Sequence, residues 1–251
     1  MLCTAALAAT HVTSGRVNSN TGMYVVIIII FLIALVFGPQ WWARYTFRRY
    51  GEALPRIPGT GGELARHLLD EYQMSDVPVE KTEKGGDHYD PEQRVVRLSP
   101  DNYDRNSLTA VAVAAHEVGH AIQHQRNESK LALRTRLVKL AQSTQQLGAA
   151  AMFLLPVAVA ITRAPSAGLI MAAVGLVSMA TATLVHLVTL PVELDASFGK
   201  ALPILMGGHY IQAEDETAVR RVLRAAAFTY VAGSLASLLN LARWLAFLRR
   251  A

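Results

Sequence analysis

The stretch VAVAAHEVGHAIQHQ, residues 111–125, decides how the rest of the chain is read. Its small apolar residues run straight into His116-Glu117-Val118-Gly119-His120, the only HExxH in the sequence. On a helix, residues four apart share a face at successive turns, so both imidazoles can grip one Zn²⁺. Glu117 lies between them, where a carboxylate can act as general base on a metal-bound water. Asn106 or Ser107 can cap this helix, which the pattern carries to about Gln125. The bland competing reading is a structural helix with two chance histidines.

A catalytic zinc takes three protein ligands and keeps a position for water, so two histidines are not enough. His124 comes one turn later, but the helical rise sets it about 12 Å from His116, too far to share an ion. His67, His88, His186 and His209 have no recognisable spacing. Glu193, within Thr189-Leu190-Pro191-Val192-Glu193-Leu194-Asp195-Ala196-Ser197, is the stronger candidate, because an apolar hairpin between His120 and Glu193 returns the chain to the side it left. A solvated carboxylate at a membrane boundary is the alternative. Asp195 and Ser197 would then orient a ligand through its free nitrogen or oxygen. His186 lies seven residues before Glu193, on nearly the same helical face, where helix packing is the plainer role. The single cysteine, Cys3, excludes an internal disulfide and a CxxC zinc site.

Hydrophobic residues make up 52 % of the 251 and charged residues 17 %, a balance expected of a multi-pass membrane protein. The net charge of +5 collects beside the apolar segments without an aromatic-interleaved basic stripe, which argues for topology and against nucleic acid. Six segments follow. Residues 1–22 form a small, polar, disordered tail, and translation is expected to begin at Met23. Residues 23–42 form a transmembrane anchor ending in Trp41, Trp42 and a run of arginines. Residues 43–146 form a cytoplasmic subdomain. There a Thr60-to-Glu63 capping box opens an amphipathic helix, and short strands are expected at Val77 to Lys81 and Arg94 to Leu98, around a Gly85-Gly86 turn. Residues 147–192 form a transmembrane hairpin, and 193–224 a cytoplasmic segment carrying Glu193. Residues 225–251 form a fourth transmembrane or interfacial helix, made doubtful as a crossing by Asn240 and Arg243.

HEVGHAIQH, with DHYDP at 87–91 before it and LPVE at 190–193 and TYVA at 229–232 after it, resembles the neutral zinc metallopeptidase family of bacterial membrane proteins, the YugP type. The likeness spans about Met23 to the C-terminus. It implies a zincin-like, membrane-anchored peptidase with His116 and His120 as ligands and Glu117 as base. The Glu193-to-Ser197 stretch also looks like the E-x-x-A-D block of membrane gluzincins, which implies Glu193 as third ligand. Ser197 stands where that block has Asp.

The expected fold is thus mainly α with a small β element: a zincin-like metallopeptidase subdomain fused to a multi-pass transmembrane region. The expected activity is zinc-dependent hydrolysis of peptide bonds in membrane or membrane-proximal proteins at the cytoplasmic face of a bacterial inner membrane. Tyr230, His88 and Tyr89 are candidates to stabilise the oxyanion, against packing or turn roles. The Arg94 to Leu98 strand could align an extended substrate by strand addition, or serve as an ordinary hairpin. A metal-stabilised scaffold that binds partners without cleaving is the rival. A metal transporter is disfavoured because HExxH lies outside the apolar spans.

Overall fold

A computed structural model describes residues 19–82, 86–162 and 166–248. Most of the expected tail, the Gly85 half of the turn, and Arg249 and Arg250 lie outside the described residues. Helix α1 (Ser19–Arg49) begins ahead of the expected boundary at Met23.

Burial explains the composition of the motif helix. Helix α4 (Leu108–Gln125) is buried at nearly every position from Leu108 to Gln123, so neighbours must approach it from all sides. Its alanines permit that approach. Ser107 caps it, with Oγ accepting from the Ala110 amide at 3.1 Å. Helix α2 (Gly61–Glu71) opens with the expected capping box: Thr60 Oγ1 accepts from the Glu63 amide, and Glu63 Oε2 from the Thr60 amide.

A three-stranded sheet flanks these helices in the order β1 (Val79–Lys81), β3 (Val95–Leu98), β2 (His88–Asp90). β1 runs parallel and β2 antiparallel to β3. Strand β2 was not expected from sequence, because three residues are too few to show a period. β3 is central, with Val96 opposite both Val79 and Tyr89, so it has no open edge. Of the two readings of Arg94 to Leu98, the ordinary structural strand holds and the open substrate edge does not. Leu68 and Leu69 of α2, Leu98 of β3 and Ile122 of α4 are fully buried in one core. Each contributes roughly 2 kcal/mol by leaving water.

Helices α3 (Pro100–Asp104), α5 (Ser129–Thr162) and α6 (Ser166–Leu194) follow. At Asp195–Ala201 the chain widens into π-helical turns before α7 (Leu202–Gly207) and α8 (Glu216–Leu248). The π segment rests on α4 at Gly119, where an added Cβ would stand 2.9 Å from the Ala196 carbonyl oxygen. Only glycine lets the two backbones meet there. We predict that Gly119→Ala lowers stability by about 1–3 kcal/mol in denaturant unfolding, through this overpacking. Wild-type stability in that variant would show that the contact gives freely.

Among the described residues, no helix is long and apolar enough to cross a membrane. The expected multi-pass region, with its anchor at 23–42, hairpin at 147–192 and fourth span at 225–251, is corrected accordingly. Each long helix joins its apolar run to polar or interrupting residues. α1 meets Gly38 and Pro39, while α5 starts with Lys130, Arg134, Arg136 and Lys139 and contains Pro156. α6 intersperses Ser178, Thr181, Thr183, His186 and Thr189, and α8 carries Arg220, Arg221 and Arg224 before Asn240 and Arg243. Large apolar side chains nevertheless stand exposed on α1, among them Ile30, Phe31 and Trp41, each at least 60 % accessible.

Candidate metal centre

Two turns of α4 and the last turn of α6 meet at one point. The His116 and His120 rings lie edge to face with centroids 4.7 Å apart. Glu193, 1 % exposed, brings Oε2 to 3.1 Å from His116 Nε2 and 3.4 Å from His120 Nε2. Two donors each about 2.0–2.1 Å from a tetrahedral zinc sit about 3.4 Å apart. The observed spacings therefore suit a single ion. Among the described residues these three form the one His/Cys/Asp/Glu group compact enough to hold a metal. The other oxygen, Glu193 Oε1, is buried without a hydrogen bond among the described residues. Arg134 Nη2 stands 3.2 Å from it, at ion-pair distance but without hydrogen-bond alignment. A buried carboxylate left with bonding capacity, facing two imidazole nitrogens, is the donor set a divalent cation completes.

The charges agree. Burial alone would raise the Glu193 carboxyl, but hydrogen bonds from His116 and His120 outweigh it and hold the group well below the usual carboxylate range. Glu117 lies beside this anion, and there burial outweighs the opposing contacts. Burial pushes it up to about 7, the His116 charge opposes, and Glu193 and Asp87 add to the rise.

Behind the histidines lies a layer of hydrogen bonds. Ser197 Oγ is 3.1 Å from His116 Nδ1. Gln123 Oε1 is 2.9 Å from His120 Nδ1, and its amide nitrogen donates to the Val192 carbonyl at 3.0 Å and to Asp195 Oδ2 at 2.8 Å. Lys200, also buried, pairs with Asp195 and with Glu128.

This geometry agrees with what the chain is similar to. The family described as "Putative neutral zinc metallopeptidase" matches residues 24–249. The chain belongs to that family. A relative from Bacillus subtilis (strain 168), described as "Putative membrane protease YugP", is 36 % identical over 228 residues, covering 86 % of this chain and 95 % of the relative. No solved structure matches. Zinc is therefore the cofactor, and peptide hydrolysis the broad activity, of this neutral zinc metallopeptidase.

Other residues singled out in the sequence of this metallopeptidase fall in several places. Tyr230, on α8, is brought to the cluster: burial and then the Glu193 charge push its hydroxyl well above the usual phenol range. Asp195 touches neither histidine and reaches His120 only through Gln123. His124 turns away to the Tyr89 hydroxyl, 2.8 Å from its Nδ1. His88 is exposed and bonds the Gly86 carbonyl. His67 bonds Tyr210, and His186 packs where a Cβ on Gly233 would meet it. The DHYDP block proves largely architectural. Asp87 accepts from the Ser99 amide and from Asn102, and Asp90 caps the β2–β3 turn at Glu92 and Gln93. Two residues were missed. Gln123 lies three positions after His120 on the same face, a signal available in HEVGHAIQH; Arg134 gave none, since the angle of α5 decides its reach.

Proposed function

We propose that this metallopeptidase hydrolyses peptide bonds of membrane or membrane-proximal polypeptides at the cytoplasmic face, with His116, His120 and Glu193 holding zinc and Glu117 as base. The observation that carries the reading is the meeting of Glu193 Oε2 with both Nε2 atoms, beside the buried Glu117 carboxyl. When bound, zinc supplies Lewis acidity to a water and to the scissile carbonyl. Glu117 takes the water's proton as attack begins and returns it to the leaving amine. Its burial near neutrality suits both transfers. Tyr230, next to Glu193, donates to the developing oxyanion.

The Tyr89 backbone amide faces the Glu117 carboxyl, so the outer edge of β2 borders the base. An extended substrate backbone aligns there by strand addition. The exposed apolar face of α1, followed by Arg44, Arg48 and Arg49, supports association with the anionic cytoplasmic leaflet. The relative's description as a membrane protease supports the same location.

Chelation tests the metal requirement. Treatment with a zinc chelator should abolish cleavage of a solubilised membrane-protein substrate pool, and one equivalent of zinc should restore it. Undiminished cleavage by metal-free protein would overturn the proposal.

A further inference from the structure

Gln123 is 1 % exposed and stands in no part of the reaction described above, yet it touches three elements of the centre. A primary amide offers one acceptor oxygen and two donor hydrogens on nitrogen. Its nitrogen faces two groups that can only accept, the Val192 carbonyl and the Asp195 carboxylate. Both donor hydrogens are therefore committed, and the oxygen must face His120 Nδ1. That oxygen cannot donate, so His120 must carry its hydrogen on Nδ1. In its neutral form His120 then offers Nε2, the nitrogen that faces Glu193 Oε2, as the ligating atom.

Asp195 is held in turn. Its carboxylate accepts from the Gln123 amide and pairs with Lys200. Lys200 is buried between Asp195 and Glu128, 2.9 Å from the latter, so the carboxylate's position is fixed from the far side. The same amide ties α4 to the end of α6, because Val192 immediately precedes Glu193. One side chain thus sets the tautomer of one histidine and the distance of the carboxylate that faces it.

We propose that Gln123 is the positioning residue of this metal centre. It presents His120 in the ligating tautomer and registers Glu193 against it, through the chain His120, Gln123, Asp195, Lys200. This rests on the metal-centre reading above. His116 has its own partner in Ser197, so the two histidines are oriented independently.

The test is zinc affinity, measured by competition with a chelating dye on the full chain, with no cleavage assay. Gln123→Leu removes the acceptor and both donors and should weaken zinc binding by about tenfold to a hundredfold. Gln123→Glu keeps the acceptor but sets a carboxylate against Asp195, and should weaken binding similarly. The double variant Gln123→Glu with Asp195→Asn restores the pairing with position 195 in reverse, the new amide donating to the new carboxylate, while the Val192 carbonyl still lacks its donor. It should recover part of the affinity lost in Gln123→Glu. A merely structural role predicts no such recovery, because the second change also removes one of the two carboxylate partners of Lys200.

Wild-type affinity in Gln123→Leu overturns the proposal. If that variant does not fold, the double variant decides, and affinity no better than that of Gln123→Glu overturns it. His120→Ala separates the two readings. Unchanged affinity there overturns the metal centre itself, whereas a loss there beside unchanged Gln123→Leu overturns only the positioning role.

Discussion

Replacing Glu117 by Gln should leave the zinc content of the protein unchanged and lower peptide-bond cleavage by at least about a hundredfold. The substitution preserves shape and volume at a 6 %-exposed position and removes only the group that accepts a proton. His116, His120 and Glu193 keep their contacts with one another, none of which involves the Glu117 side chain. The expected signature is therefore a split: metal bound, turnover lost. Membrane fractions from cells carrying this variant should accumulate the uncleaved substrates, and comparison with wild type would identify them. Retention of the full biological role by Glu117→Gln would favour a partner-binding scaffold and sink the peptidase mechanism.

Replacing Glu193 by Ala should lower bound zinc by at least about tenfold. The variant deletes the one oxygen that faces both Nε2 atoms and leaves the Arg134 guanidinium, 3.2 Å from the former carboxylate, without its counter-ion. Each change disfavours a cation at the centre. His124→Ala should leave the metal in place, because its Nδ1 faces the Tyr89 hydroxyl and the ring stands outside the compact group. Metal analysis of the two variants side by side checks the assignment. A greater loss of zinc in His124→Ala than in Glu193→Ala would exclude Glu193 as the third ligand.

These predictions show where local sequence carried the argument. The pairing of His116 with His120 needed only a helix, and Ser107 and the alanine run supply one. The capping box at Thr60 and the strand at Val95 to Leu98 were legible because their signals are local. Strand β2 was not, since pairing with β3 creates it, and only that pairing separates the two readings of Arg94 to Leu98. The transmembrane reading weighed apolar segments with their flanking aromatics and arginines, whereas among the described residues no helix joins the length and apolarity a span needs.

The sequence by itself determined the zinc-binding pattern, the helix that bears it, and the membership of a neutral zinc metallopeptidase family. Periodicity fixes which residues share a face, and that much is contained in five consecutive positions. Glu193 could be named from the sequence as a candidate, but only the tertiary structure brings it and its neighbours to that face. Glu193 arrives from 73 residues beyond His120, across the contact of the Ala196 backbone with Gly119. Gln123 then joins the two segments, and Arg134 reaches the same carboxylate from α5. Such contacts depend on how helices pack, and no local pattern encodes them.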